Sequence, residues 1–419
     1  MVSVEKSFGK TRSWNTFLLY SVAIAIRLVI FSLPPIADTL LQRVELSTPV
    51  TSFKRLTEGV FLYQSHVPPY DGGVFHQAPL LLIIFSFLLQ LPDMATFLLY
   101  SIFDIAIAHC LQKITLMKQQ FERNQPTLAI EKEIDLIHPT TVAALYLFNP
   151  LTILSCVSKS TILFTNLSVI MALSWALIGR YDFSMMWIAL ASYLSVYPAM
   201  LVPPLILLLP RRNMTMAITS FVGTLLVLLG ISRLVVGSWE FLNATYGVIL
   251  FLPDLTPNVG MFWYFFIEIF DQFRSFFLMV FQFHTFIFVA PLCIRFRNRP
   301  VFVLTILCGI VAVFKSYPSV GDATLYLSLV PLHDELFKYC RYGFLVANLF
   351  LYSSVLAPIF WHLWIYAGSG NANFFYAITL VYNLGQVMLL IDLVYSMLRR
   401  EFDIAHPEAI GKQVIHEQN

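Results

Sequence analysis

Residues Trp361 to Leu380 read WHLWIYAGSGNANFFYAITL, and the reading of this stretch decides the fold. Two apolar, aromatic-rich segments meet at a polar tip, Gly368-Ser369-Gly370-Asn371-Ala372-Asn373. The rings of Trp361, Trp364, Tyr366, Phe374, Phe375 and Tyr376 flank that tip. Trp and Tyr settle at the membrane–water boundary, where an apolar ring can sit beside a polar handle. The pattern suits a helical hairpin that turns at headgroup depth, with the Asn371 and Asn373 amides offered to a polar group there. It equally suits a solvated turn, because Gly and Asn tolerate unusual backbone angles. The residues alone leave both readings open.

The rest of the chain agrees with a membrane setting. Its 419 residues are 58% hydrophobic and only 12% charged, with a mean hydropathy of +0.75. A soluble domain of this length would carry roughly twice that charged fraction. Apolar runs of about 20 residues recur along the whole length, whereas the shorter alternating pattern of a membrane barrel is not seen. The expected fold is an all-α polytopic membrane protein forming one multi-spanning transmembrane domain over residues 1–419. Apolar segments fall at 17–34, 76–92, 94–112, 141–157, 161–179, 183–209, 216–236, 275–294, 300–314, 323–338, 342–366 and 374–397. They predict about 10–12 transmembrane helices, with Pro34-Pro35, Pro150 and Pro203-Pro204 marking kinks or ends. A net charge of +2 gives no reason to expect nucleic-acid binding.

Charge placement gives an orientation. Lys6, Lys10 and Arg12 precede the first apolar run, which lacks a small-residue cleavage site. Residues 1–16 should therefore be a cytosolic N-terminus, followed by a retained signal anchor. Residues 36–77 then become the first lumenal loop. Arg211-Arg212, Arg295/Arg297/Arg299 and Arg399-Arg400 each follow an apolar run directly, which places them on the cytosolic side with the tail 398–419. Loop 113–138 mixes Lys113, Lys118, Arg123 and Lys132 with four acids, and its side stays open. Of three glycosylation sequons, only the one at Asn243 has a plausible lumenal position.

Catalytic patterns are missing. The nine histidines include no H-x-x-x-H or H-E-x-x-H, and the five cysteines no C-x-x-C. There is no Gly-rich phosphate loop and no nucleophile with a base beside it. No metal or cofactor is implied, and the chain should not itself cut peptide bonds. Polar groups inside apolar segments are Arg27, Asp104, Lys159, Arg233, Glu268, Asp271, Arg274 and Asp392. Internal pairing is the expectation for most, snorkelling for Lys159, and an i, i+3, i+6 ladder for Glu268, Asp271 and Arg274. Met261–Phe266 reads as an interfacial helix with rings toward lipid or a partner, its start capped by Asp254 or Asn258.

Trp361–Leu380 also carries a resemblance, shared by Phe53–Leu80 (FKRLTEGVFLYQSHVPPYDGGVFHQAPL), Phe148–Ser160 (FNPLTILSCVSKS), Pro253–Phe266 (PDLTPNVGMFWYFF) and Phe314–Asp322 (FKSYPSVGD). Together these blocks resemble the PIG-U family, the polytopic subunit of the glycosylphosphatidylinositol (GPI) transamidase. The resemblance implies a multi-pass protein of the endoplasmic reticulum membrane that is a non-catalytic subunit of an enzyme complex without a cofactor of its own. Its implied partners are PIG-K, PIG-T, PIG-S, a metallopeptidase-like subunit, membrane lipids, the GPI lipid and the C-terminal attachment signal of the proprotein. Under this reading Asn371, Asn373 and Arg297 are the expected GPI contacts, and Arg211 and Arg212 the phospholipid contacts.

The first loop is similar to a second family, the GT-C mannosyltransferases that use a polyprenyl-phosphate donor. Glu58-Gly59, Pro69-Tyr70 and Pro79-Leu80 match that family's succession. A GT-C-like arrangement with interfacial helices is the implied scaffold. The alternative function is then an active dolichol-phosphate-mannose-dependent mannosyltransferase of GPI assembly. Such enzymes open this loop with an acidic D-x-D-like pair, which activates the acceptor or holds a divalent metal. The corresponding triplet here is Arg43-Val44-Glu45, and no D-x-D or E-x-D occurs in the loop. That departure points to a scaffold without catalysis.

Overall fold

The computed structural model describes residues 10–123, 136–210 and 213–407, and their regular structure is helical, with no strand among them. Helix α1 (Lys10–Phe31) ends at an elbow and turns by 89° into α2 (Pro34–Gln42). Pro34 and Pro35 explain the elbow, since a proline ring suits the first turn of a helix and obstructs the helix before it. Helix α3 (Phe53–Gln64) is capped by the Ser52 hydroxyl, and α4 (Pro79–Leu88) again starts on proline. Helix α5 (Asp93–Arg123) runs past its apolar part. Lys113 and Lys118, read from sequence as loop residues, therefore stand on a helix, where Lys118 donates to the Leu332 carbonyl. Helices α6 (Pro139–Leu147) and α7 (Pro150–Val157) meet at 54°, with Asn149 capping α7 through Oδ1 to the Leu151 N–H.

Helices α8 (Ile162–Ile178) and α9 (Tyr181–Leu194) are followed by the apolar run Tyr197–Leu207 and by α10 (Met214–Val236). A helical run over Leu242–Phe251 opens with a π turn. Then come α11 (Phe262–Glu268), α12 (Asp271–Phe286), α13 (Val289–Arg295), α14 (Pro300–Phe314) and α15 (Val320–Leu329). Two compact units divide at Leu332. The second, residues 333–419, is built on a hairpin of α16 (Gly343–Ile365) and α17 (Ala372–Ala405) packed along each other.

The fold class is as expected, and the helix count is not. Among the described residues five helices are long and apolar enough to cross a membrane, or up to seven if each bent pair is one span. The other apolar segments are shorter helices such as Pro79–Leu88 and Pro300–Phe314. Ten residues of helix reach about 15 Å, half of a hydrocarbon core of about 30 Å. Most of α8 and α14 is buried, so these short helices are covered by protein. By contrast, only 6% of the apolar window of α10 is buried.

Candidate functional site

Four of the sequence blocks, distant along the chain, meet in the first unit. Gln77 is one hub. Its amide nitrogen donates to the Ser52 carbonyl at 2.7 Å, and its Oε1 accepts from the Thr161 hydroxyl at 3.0 Å. The Tyr70 hydroxyl donates to the Gln77 carbonyl at 2.9 Å. The Thr161 N–H and hydroxyl both donate to the Thr51 carbonyl, at 3.0 and 3.2 Å. Arg55 is a second hub: one Nη lies 2.8 Å from Asp254 Oδ2 and also donates to the Val74 carbonyl. The other oxygen of Asp254 accepts from the Thr256 N–H at 2.9 Å, and its carbonyl from the Tyr317 hydroxyl at 2.7 Å. Lys315 pairs with Asp322 at 2.5 Å, both buried, and the second Asp322 oxygen accepts from the Ser319 N–H to close a capping box on α15.

Close approach explains two glycines. A Cβ on Gly59 would stand 2.6 Å from the Phe75 ring, and one on Gly260 would stand 2.5 Å from Pro318. Burial pushes the Asp254 carboxyl up, but the Thr256 hydrogen bonds and the Arg55 guanidinium outweigh it and hold the group below the usual carboxylate value. Burial lowers the pKa of His76, whose Nδ1 N–H donates to the Ala244 carbonyl at 2.9 Å. The neutral imidazole is thereby favoured.

Beside this junction opens a cavity of about 710 Å³, with Tyr70, Asp71, His76, Glu240, Asn243 and Asp254 in its lining. Its walls mix carboxylates, an amide and apolar surface, which suits a polar headgroup or an extended peptide segment. Among the described residues no three His, Cys, Asp or Glu side chains are placed to hold a metal ion. The Arg43-Val44-Glu45 triplet is closed on itself. The Arg43 guanidinium forks onto both Glu45 oxygens, with Nε to Oε2 at 2.9 Å. The Glu45 carbonyl accepts from the Val320 N–H at 2.9 Å. The single acid left at that position is matched to a cation two residues away.

The sequence-predicted contact residues are dispersed. Asn371 is the N-cap of α17, its Oδ1 accepting from the N–H groups of Asn373 at 3.1 Å and Phe374 at 3.4 Å. Both asparagine side chains are exposed. Arg297 is exposed in the turn between α13 and α14, so it belongs to the first unit while the asparagines belong to the second. Arg211 and Arg212 lie outside the described residues. Residues 1–9 and 408–419, within the predicted cytosolic ends, lie outside them too.

Three local expectations are corrected. Phe262 and Phe266 are buried in a cluster with Val248, Leu252 and Tyr317, and Trp263 is buried too, so these α11 rings point inward rather than toward lipid. The ladder of Glu268, Asp271 and Arg274 is interrupted, because α11 ends at Glu268 and α12 restarts at Asp271. Arg274 donates instead to the Leu252 and Phe266 carbonyls. Asp254 and Asn258 brace a turn, accepting from the N–H groups of Thr256 and Gly260, rather than capping a helix. The expected internal pairing holds elsewhere: Arg27 meets Asp104 at 2.8 Å, Tyr146 donates to the other Asp104 oxygen, and Asp392 accepts from the N–H groups of Arg341 and Tyr342. Gln77, Tyr70 and Tyr317 were missed as site residues. The available signal was a polar or phenolic group next to an apolar run in a turn-rich block, where burial demands a hydrogen-bond partner.

Several apolar helices of membrane length define the class as a polytopic helical membrane protein. Residues 21–382 match the family described as "GPI transamidase subunit PIG-U", and the chain belongs to that family. The human "GPI-anchor transamidase component PIGU" is 38% identical over 413 residues, covering 93% of this chain and 95% of the human protein. The "GPI transamidase component GAB1" of Saccharomyces cerevisiae is 40% identical over 390 residues, covering 92% and 95%. The "GPI transamidase component GAB1 homolog" of Schizosaccharomyces pombe is 34% identical over 377 residues, covering 89% and 91%.

Proposed function

We propose that this protein is a non-catalytic subunit of a GPI transamidase in the endoplasmic reticulum membrane. It helps to bind the GPI lipid, the C-terminal attachment signal of the proprotein, or both, while other subunits cut and rejoin the peptide. PIG-K, PIG-T, PIG-S and a metallopeptidase-like subunit are the partners this reading names. Support for membership comes from the named relatives, matched over nearly their full length. The observation that carries the non-catalytic reading is the Arg43–Glu45 fork. A carboxylate with both oxygens engaged by one guanidinium is not aimed at a substrate proton, and the adjacent cation repels a metal ion. In the first loop this disfavours a mannosyl transfer step.

For the lipid contact we assign Asn371, Asn373 and Arg297, with Arg211-Arg212 toward phospholipid headgroups. Asn371 uses its oxygen on the helix cap and keeps its amide nitrogen for a ligand. Asn371→Lys should impair GPI attachment and leave the complex assembled, because a cation would then stand at the headgroup contact. Normal GPI binding by purified complex carrying that change would remove the assignment. The deciding experiment for the function is depletion of this protein, followed by analysis of the GPI lipids and proproteins that accumulate. Complete, ethanolamine-capped GPI with uncleaved proproteins is the expected result. Accumulation of mannose-deficient intermediates would overturn the reading in favour of glycan assembly.

A further inference from the structure

At the edge of the junction, Lys159 carries a charge that no ion pair matches among the described residues. It follows α7 in the left-handed region, at φ +50°, a position that helix ends usually give to glycine. The residue is only 7% exposed, yet among the described residues no carboxylate pairs with it. Nζ sits 4.8 Å from the centre of the Phe53 ring and 5.2 Å from that of Phe31, while Asp38 and Asp93 act on it only from farther away. The Ser160 hydroxyl, next in sequence, is fully buried and makes no hydrogen bond among the described residues. Aromatic faces attract an ammonium, but they do not replace the hydration it loses on burial. A strained backbone holding an uncompensated cation points to a counter-ion that the described residues do not supply.

Position indicates where that counter-ion comes from. Lys159 lies two residues past Val157, where the bent apolar pair α6–α7 ends, and it packs against Phe31 at the elbow of the other bent pair, so it stands where a candidate membrane span ends. Lysines at that depth meet lipid phosphates. The start of α3 lies alongside, because Phe53 is its first residue and Thr161 holds the Thr51 carbonyl just before it. The N-terminus of that helix adds a favourable field for an anion.

We propose that Lys159 binds the phosphate of a membrane lipid beneath the α1–α2 elbow. The site goes beyond the GPI-contact assignment and does not depend on transamidase membership. The phosphate could belong to a bulk phospholipid or to an inositol headgroup, and the chemistry at Nζ is the same. The test uses the full chain in its native complex, in nanodiscs of phosphatidylcholine doped with either phosphatidate or phosphatidylinositol, with retained lipids counted by native mass spectrometry. Wild-type complex should hold an anionic lipid that Lys159→Gly loses, a change on the order of tenfold in affinity. Lys159→Arg should keep it. Lys159→Gly relieves the left-handed strain, so it should melt no lower than wild type. Equal retention of phosphatidate and phosphatidylinositol would mean that the phosphate itself is read; preference for phosphatidylinositol would mean that the inositol is read too. Either supports the site. Indifference to headgroup charge in the wild type, or loss of stability without loss of lipid in Lys159→Gly, overturns it.

Discussion

The junction of the first unit and the hairpin tip of the second are both polar places in an apolar protein, and they are built in opposite ways. At the junction Lys315 and Asp322 are buried and satisfied by each other, and Gln77 hydrogen-bonds both neighbouring segments. At the tip Asn371 and Asn373 are exposed, and the Asn371 side-chain oxygen caps its own helix. Polar groups paired in the interior hold the fold, whereas exposed ones can also be reached from outside. Substitutions of the paired junction residues should therefore report on folding, and those at the tip on binding.

The largest expected effect is Lys315→Met. It leaves the Asp322 carboxylate buried without its cation, at a cost of about 3–5 kcal/mol. Thermal unfolding of the purified complex should show it, and Lys315→Met with Asp322→Leu should recover much of the loss. A double variant no better than the single one would mean that the pair is not the cause. Next comes Gly59→Ala, whose new methyl would collide with the Phe75 ring and cost about 1–3 kcal/mol, read in the same assay. At the tip, Asn371→Ala removes a helix cap worth about 1 kcal/mol. A larger destabilisation would erase the distinction between junction and tip.

The smallest effect is a pH dependence at Arg55–Asp254. The folded-state pKa of Asp254 lies below its unfolded value, so its contribution is complete above the ordinary carboxylate pKa. It is lost as pH falls through the depressed value. Asp254→Asn should flatten this acid limb in a series of melts. An unchanged limb would assign it to other carboxylates.

Much of the site was legible piecewise and not as a whole. The motif blocks stood out in the sequence, and so did the displaced acid in Arg43-Val44-Glu45. Their convergence did not, because Arg55 and Asp254 are far apart in the chain and only folding brings them within 2.8 Å. The Met261–Phe266 run was read outward for a related reason: rings that suit a lipid boundary suit a protein core equally well.

The sequence by itself determined a helical membrane protein, its family through the blocks, and the missing catalytic pairs. These are matters of composition and local pattern. Only the tertiary structure decided which apolar segments are membrane-length and which are core. Helices α8 and α10 are both apolar, yet α8 is largely buried in protein and α10 is not. Hydropathy records the preference of a side chain for leaving water, and lipid tails are as apolar as leucine. It cannot tell a bilayer from a protein interior. The breaks at Pro34 and Pro150, and the neighbours waiting on the other side of each helix, make that choice.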